Sequence, residues 1–153
     1  MFVKKALSVV ALYVIAQSAW ASDSWTLTAN GKDPSSDADA TTTEYVVESS
    51  ISKIRGNYRT AFVKTVFTPT VPLMPGRSVA FTIAEVMVGC NDFTWGTTNR
   101  MDFDEHMVPV MSEIGEFDKS KSIWTLKNMG ALDSSATTFK TARFICSASV
   151  REY

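Results

Sequence analysis

The stretch that most constrains the fold is an apolar run, "SVAFTIAEVMVGC", at residues 78–90. Side chains alternate between the two faces of a strand, so a strand with one buried face has only one apolar set. Here both sets are apolar: Val79, Phe81, Ile83 and Met87 form one, and Ala80, Ala84, Val86 and Val88 form the other. The run therefore predicts a strand covered on both faces, with a buried helix as the alternative, because short apolar runs fit both structures.

Segments rich in β-branched and aromatic residues predict the other strands. They lie at residues 24–29, 44–51, 58–67, 93–103 and 122–129. Gly56 and Asn57 supply the turn that precedes the third of these segments. Prolines, glycines and charged residues predict irregular structure at residues 30–43, 68–77 and 104–122.

The segment "LDSSATTFKTARFIC" predicts a helix near the end of the chain. Asp133 or Ser134 would cap its first turn. One side of this helix would carry Ala136, Phe139, Ala142 and Cys146. Threonine is β-branched and lowers helix propensity, so a strand is the alternative for this segment.

Residues 1–21 predict a secretory signal peptide. Lys4 and Lys5 precede an apolar run, and Ala19-Trp20-Ala21 fits the small-x-small pattern of a cleavage site. The apolar run is shorter than the roughly 20 residues that a transmembrane helix needs, so an uncleaved anchor is the weaker interpretation. No cysteine stands at the cleavage point. The sequence therefore predicts export to the periplasm, the medium or the cell surface, without a lipid anchor.

Cleavage before Ser22 would leave residues 22–153, a length that suits a single domain with its own core. Loss of two of the 15 basic side chains would leave 13 against 16 acidic ones, a net charge of −3. A chain with this charge lacks the basic surface by which proteins bind nucleic acid or anionic membranes. We therefore expect no nucleic-acid partner, and no second apolar stretch is long enough to predict a membrane span.

Cys90 and Cys146 are the two cysteines of the chain. Exported proteins meet an oxidising compartment, and an even number of cysteines there indicates disulfides. A catalytic or metal-binding thiol would need basic or ligating residues beside it, and the sequence places none near either cysteine. The sequence therefore predicts a Cys90–Cys146 disulfide.

His106 is the only histidine, and it lies in "MDFDEH" among Asp102, Asp104 and Glu105. A metal-binding or general-base role is conceivable for such a group. However, one histidine in a charged loop is more often simply solvated. We therefore expect no catalytic role for His106, and a small exported enzyme that uses it remains the less favoured alternative.

Other patterns of catalysis or cofactor binding are missing from the sequence. Asp33, Asp37 and Asp39 lack the glycine turn and the terminal glutamate of a calcium loop. There is no P-loop, no dinucleotide-binding glycine pattern and no nucleophile elbow. The sequence therefore predicts a protein without a cofactor or a metal site.

Five residues are candidates for a binding surface. Phe93 and Trp95, just past Cys90, could form an exposed aromatic platform, although packing in the core is the commoner role of such residues. Arg55, Arg59 and Lys64 could form a basic contact patch, although a solvated strand face is the ordinary alternative.

The order of several motifs resembles the surface-adhesin protein E family of Gram-negative bacteria. The motifs are "YVVESSISKIRGNYRTAFVKTVF", "VGC" with the first cysteine, "SIWTLKN", and a Ser-rich helix that ends in "FIC" with the second cysteine. The resemblance covers most of residues 24–147. It implies an α+β fold, in which an antiparallel sheet carries the C-terminal helix on one face and the disulfide ties the two together.

The resemblance also implies a function. The best-known family member is a lipid-anchored surface adhesin that captures extracellular and serum proteins of the host. By resemblance, this chain would be a non-enzymatic binding protein with a protein ligand, or alternatively a periplasmic interaction module. In the implied sheet, Lys64 would extend past an edge or into solvent.

Overall fold

The computed structural model describes residues 25–32, 40–118 and 125–150. Its elements in chain order are β1 (Trp25–Lys32), β2 (Thr41–Val47), β3 (Ser52–Lys53), β4 (Tyr58–Met74), β5 (Arg77–Gly89), β6 (Thr94–Phe103), β7 (Pro109–Ile114), β8 (Phe117–Asp118), β9 (Thr125–Leu126), β10 (Gly130–Ala131) and α1 (Thr137–Ser147). A short 3-10 turn, Glu48–Ser50, follows β2. The predicted signal peptide and the aspartates of the 30–43 segment lie outside the described residues.

The larger sheet has the strand order β1-β2-β4-β5-β6-β10, and all of its pairings are antiparallel. β3 pairs with β4 and β7 pairs with β6, while β8 and β9 form a separate two-stranded pair. Neighbours in the sheet are mostly neighbours in sequence, as expected where tight turns join antiparallel strands. With α1 packed on one face, the predicted α+β class is confirmed.

β5 lies between β4 and β6 and is buried along most of its length, as predicted. On the helix face, the core contains Val46, Ala61, Val63, Ala84, Val86, Val88, Ala142 and Ile145. On the opposite face, a second cluster contains Phe81, Ile83, Met101 and Phe103. Each alternating set of the apolar run thus has its own core, and the helical alternative for this run is wrong.

β4 is longer than the sequence predicts, because it continues through most of the proline-rich segment 68–77. β2 pairs with β4 only as far as Thr68, so beyond it one side of β4 has no strand neighbour among the described residues. Proline is tolerated on such an edge because no partner strand needs the missing N–H. The prediction of a loop is therefore wrong, except at the turn before β5.

Other boundaries also differ from the prediction. Residues 104–122, predicted to be irregular, contain β7 and β8, whose mostly exposed side chains lack apolar alternation. Within the described residues, the predicted strand 122–129 is extended only in β9. The predicted loop 30–43 is shortened at both ends by β1 and β2.

The N-terminus of α1 differs from the prediction as well. The helix begins at Thr137 with Ala136 at the N-cap position, and no side chain caps it. Asp133 instead accepts hydrogen bonds from the backbone N–H and the hydroxyl of Ser135, at 2.8 and 2.7 Å. These bonds hold the pKa of the Asp133 carboxyl below its ordinary value. The predicted cap by Asp133 or Ser134 is therefore wrong, because Asp133 stabilises the turn before the helix.

Threonines attach α1 to the sheet. Thr137 and Thr141 are buried, and their hydroxyl oxygens lie 2.8 Å from those of Thr42 and Thr28, respectively. A buried hydroxyl needs a partner, and each of these finds one across the helix–sheet interface. The threonines, which lower the helix propensity of this segment, thus attach α1 to β1 and β2.

Cys90 and Cys146 form the predicted disulfide, with their Cα atoms 5.6 Å apart. Cys90 directly follows β5, and Cys146 is the penultimate residue of α1. The bridge therefore ties the C-terminal end of the helix to the central strand of the sheet.

Candidate functional site

The three residues of the predicted basic patch lie in different parts of the structure. Arg55 is exposed in the turn before β4. Arg59 is half-buried, and its Nη1 donates hydrogen bonds to the backbone oxygens of Ile145 and Ala148, at 2.7 and 2.6 Å. Carbonyl groups at a helix C-terminus lack partners within the helix, and a cation there is favourable. Arg59 therefore stabilises the end of α1.

Lys64 belongs to the sheet face opposite α1. It is half-buried, and its Nζ lies 4.9 Å from the centroid of the Phe81 ring. Burial lowers the pKa of Lys64, because the charged form loses hydration. At this position β4 has β2 on one side and β5 on the other, so Lys64 does not extend past an edge of the sheet, and its half-buried side chain lies over the Phe81 ring.

The two predicted aromatic residues also differ in their surroundings. The ring of Phe93 lies 4.9 Å from that of Phe139 between centroids, and Phe93 packs against the helix-face core. Trp95 packs against the same core and also borders a groove. Of the five predicted binding residues, Trp95 is thus the one that lines this groove.

His106 is exposed in the turn between β6 and β7. Its backbone N–H and that of Val108 donate to Oδ1 of Asp104, at 2.9 and 2.8 Å, so Asp104 organises the turn. The His106 imidazole makes no hydrogen bond within the described part of the chain. In that part, no group of three or more His, Cys, Asp or Glu side chains is placed to hold a metal ion.

A groove lies on the sheet face that α1 only partly covers. Its volume is about 200 Å³. The floor consists of Val63, Ala84 and Val86, and the polar lining includes Thr65, Thr82, Thr97, Arg100 and, from α1, Thr138. We call this the helix-side groove. Its walls belong to paired strands and a tethered helix, so its shape is set by rigid elements.

Strand register fixes the order of residues along the groove. Arg100 pairs with Ala84, Thr97 with Val86, and Trp95 with Val88. Ala84 and Val88 are four residues apart on β5, which corresponds to about 13 Å at the usual rise of a strand. Arg100 and Trp95 therefore border different parts of the same face, with Thr97 between them.

Arg100 is the charged side chain of the groove lining, and it is anchored on a buried acid. Its Nε donates to Oδ1 of Asp102 at 2.8 Å, and Oγ1 of Thr82 donates to the same oxygen at 2.7 Å. The Asp102 side chain is 0% exposed, whereas that of Arg100 is 36% exposed. Oδ2 of Asp102 is buried without a hydrogen-bond partner among the described residues. Within the same residues, the hydrogen bond of the Arg100 side chain is the one from Nε, so neither Nη nitrogen has a partner there.

A second buried carboxylate lies in the same row as Asp102. Glu44 pairs with Thr65, Thr65 with Thr82, and Thr82 with Asp102 across β2, β4, β5 and β6. Oε1 of Glu44 accepts a 2.9 Å hydrogen bond from the hydroxyl of Thr138 on α1. The polar row thus crosses the sheet beside Arg100 and contacts the helix at its Glu44 end.

The sequence patterns did not indicate Arg100 as a binding residue, and they indicated Asp102 only as a neighbour of His106. One signal was present: Asp102 lies between Met101 and Phe103, in a strand whose apolar residues alternate with polar ones. An acid in such a strand is either solvated or buried with a partner, and Arg100 two residues earlier shares its face. Which face lies beneath the helix is set by the tertiary packing.

Comparison with known proteins identifies no relative. No protein-family model, no curated protein and no solved structure matches the chain. Among the described residues, no helix combines the length and the apolar character needed to cross a membrane. The function of the groove must therefore be inferred from its own residues.

Proposed function

We propose that this protein is an exported, non-enzymatic binding protein that captures a protein ligand, in the manner of the surface-adhesin protein E family. The ligand class that follows from the resemblance is a host extracellular-matrix or serum protein. The observation that carries the proposal is the helix-side groove, which exposes a guanidinium, hydroxyls and an indole above an apolar floor. Such a mixture of apolar and polar groups suits recognition of a polypeptide.

The fold and the disulfide support export and binding. An antiparallel sheet with a C-terminal helix and one disulfide is the arrangement that the resemblance implies. Disulfides persist in oxidising compartments, which fits the predicted signal peptide. A periplasmic interaction module with a bacterial ligand is the alternative within the same class, and cell fractionation distinguishes the two.

Filling the groove should weaken capture. We expect Thr97→Trp to reduce retention of purified matrix and serum proteins on the immobilised exported protein, because the indole would occupy the space between Arg100 and Trp95. Ser112→Trp is the matched control, since Ser112 is exposed on β7 outside the groove. Equal retention by both variants, with circular dichroism spectra like that of the wild type, would contradict the groove as the binding site.

Replacing His106 by alanine should leave capture and thermal stability unchanged. His106 is exposed, and its imidazole makes no hydrogen bond within the described residues, so its loss removes little from the folded state. Exposed positions of this kind change the free energy of unfolding by about 0.5 kcal/mol or less. A hydrolytic or transfer activity of the exported protein that disappears in His106→Ala, at unchanged melting temperature, would favour the enzyme alternative.

A further inference from the structure

The geometry of Arg100 indicates what the groove binds. We propose that the helix-side groove receives the C-terminal carboxylate of a partner polypeptide, with the two Nη nitrogens of Arg100 as its receptor. This inference rests on the proposed function, because it names the part of a protein ligand that enters the site.

The pairing with Asp102 leaves the outer end of the guanidinium available. Nε is committed to Oδ1 of Asp102, and the buried carboxylate is itself held by Thr82. The remaining Nη nitrogens form a planar pair of donors, which matches the two oxygens of a carboxylate. Since Asp102 fixes Nε, little side-chain freedom is lost when a carboxylate binds.

The neighbours of Arg100 favour a peptide over a fatty acid or a small inorganic anion. The hydroxyls of Thr65 and Thr97 and the indole N–H of Trp95 make no hydrogen bonds within the described residues. Backbone N–H and C=O groups of a bound peptide would satisfy such groups, whereas an alkyl chain would leave them buried without partners. The apolar floor of Val63, Ala84 and Val86 would accommodate the side chain of the last residue.

The size of the groove favours a chain end. Pockets for drug-sized ligands usually have volumes of about 300–1,000 Å³, and this one has about 200 Å³. A groove of this size has room for little more than the end of a chain. Capture of a terminal carboxylate is a recurrent mode of peptide recognition.

Peptide titration tests the proposal. A fluorescein-labelled hexapeptide pool with three random C-terminal residues and a free carboxylate is titrated into the exported protein, and fluorescence anisotropy is measured. The same pool amidated at its C-terminus is the first control. We expect amidation to weaken binding about ten- to a hundredfold, as loss of a charge-assisted hydrogen-bonded pair does.

Matched variants locate the receptor. Arg100→Gln should weaken binding of the free-acid pool to the same degree, whereas Arg143→Gln, which removes an exposed arginine of α1, should not. Thr97→Val provides a second variant, because it removes one hydroxyl from the groove with little change in shape. It should weaken binding of the free-acid pool severalfold even if Arg100→Gln fails to fold.

Several outcomes would overturn the proposal. They are equal binding of the amidated pool, unchanged binding by Arg100→Gln, and equal binding of an amidated peptide with an internal glutamate. Displacement of the peptides by octanoate at equal concentration would assign the groove to fatty acids instead.

If Arg100→Gln still captures matrix or serum proteins like the wild type, the proposed function stands and this inference fails. If free-acid peptides bind through Arg100 but those proteins are not captured, the proposed host ligand is wrong.

Discussion

Simultaneous replacement of Cys90 and Cys146 by serine should lower the free energy of unfolding by about 2–5 kcal/mol, the usual effect of losing a native bridge in a small exported domain. The cysteines are 56 residues apart, and a closed loop of that size contributes roughly 4 kcal/mol in the chain-entropy model. α1 has no side-chain N-cap, and its threonines give it little intrinsic propensity. Urea denaturation of the double variant and the wild type measures the difference.

Loss of the bridge should also change the order in which segments open. Without the disulfide, α1 is held to the sheet mainly by the threonine pairs, Arg59 and the contacts of Ala142 and Ile145. Its amide hydrogens should therefore exchange faster than those of β5 in the double variant. Wild-type protein with its disulfide reduced is the matched control and should behave like the double variant. Free thiols in the native protein, or an equally stable double variant, would contradict the stabilising role of the disulfide.

Replacing Arg59 by alanine should lower the free energy of unfolding by about 2–3 kcal/mol, although its sequence position suggested a ligand contact. The substitution removes two charge-assisted hydrogen bonds at the end of α1, both donated by Nη1. One such bond typically contributes about 1.5–3 kcal/mol, and two that share a donor nitrogen contribute less than twice that. Arg55→Ala removes the same charge from an exposed turn and should change stability by about 0.5 kcal/mol or less. Chemical denaturation of both variants measures the contrast. Equal effects would show that the helix end does not depend on Arg59.

Local patterns were enough to predict much of the fold. The two apolar sets of residues 78–90 predicted the central strand, and two cysteines in a chain predicted to be exported predicted the bridge. The proline-rich extension of β4 could not be predicted in this way, because its prolines are tolerated only where β2 has ended at Thr68. Likewise, the absence of a side-chain cap on α1 depends on Asp133 bonding to Ser135 instead.

The site was less accessible to sequence reasoning than the fold. Trp95 was predicted as a binding residue and does line the groove. Arg59 was predicted for the same surface, but only the packing of α1 on the sheet shows that its guanidinium bonds to helix carbonyls. An arginine two residues before an aspartate is common on a solvated strand. Here the arginine is anchored on a buried carboxylate, because the register of β5 with β6 places Thr82 beside Asp102.

Hydrogen–deuterium exchange of the purified protein, with and without a saturating concentration of a matrix or serum protein retained in the capture assay, tests the central claim most directly. If the helix-side groove is the binding site, protection should concentrate in β6 from Trp95 to Arg100 and in the first turn of α1 around Thr138. The turn that contains His106 should exchange at the same rate in both states. Protection centred on that turn or on the β4–β5 turn, with β6 unchanged, would contradict the assignment of function to the groove.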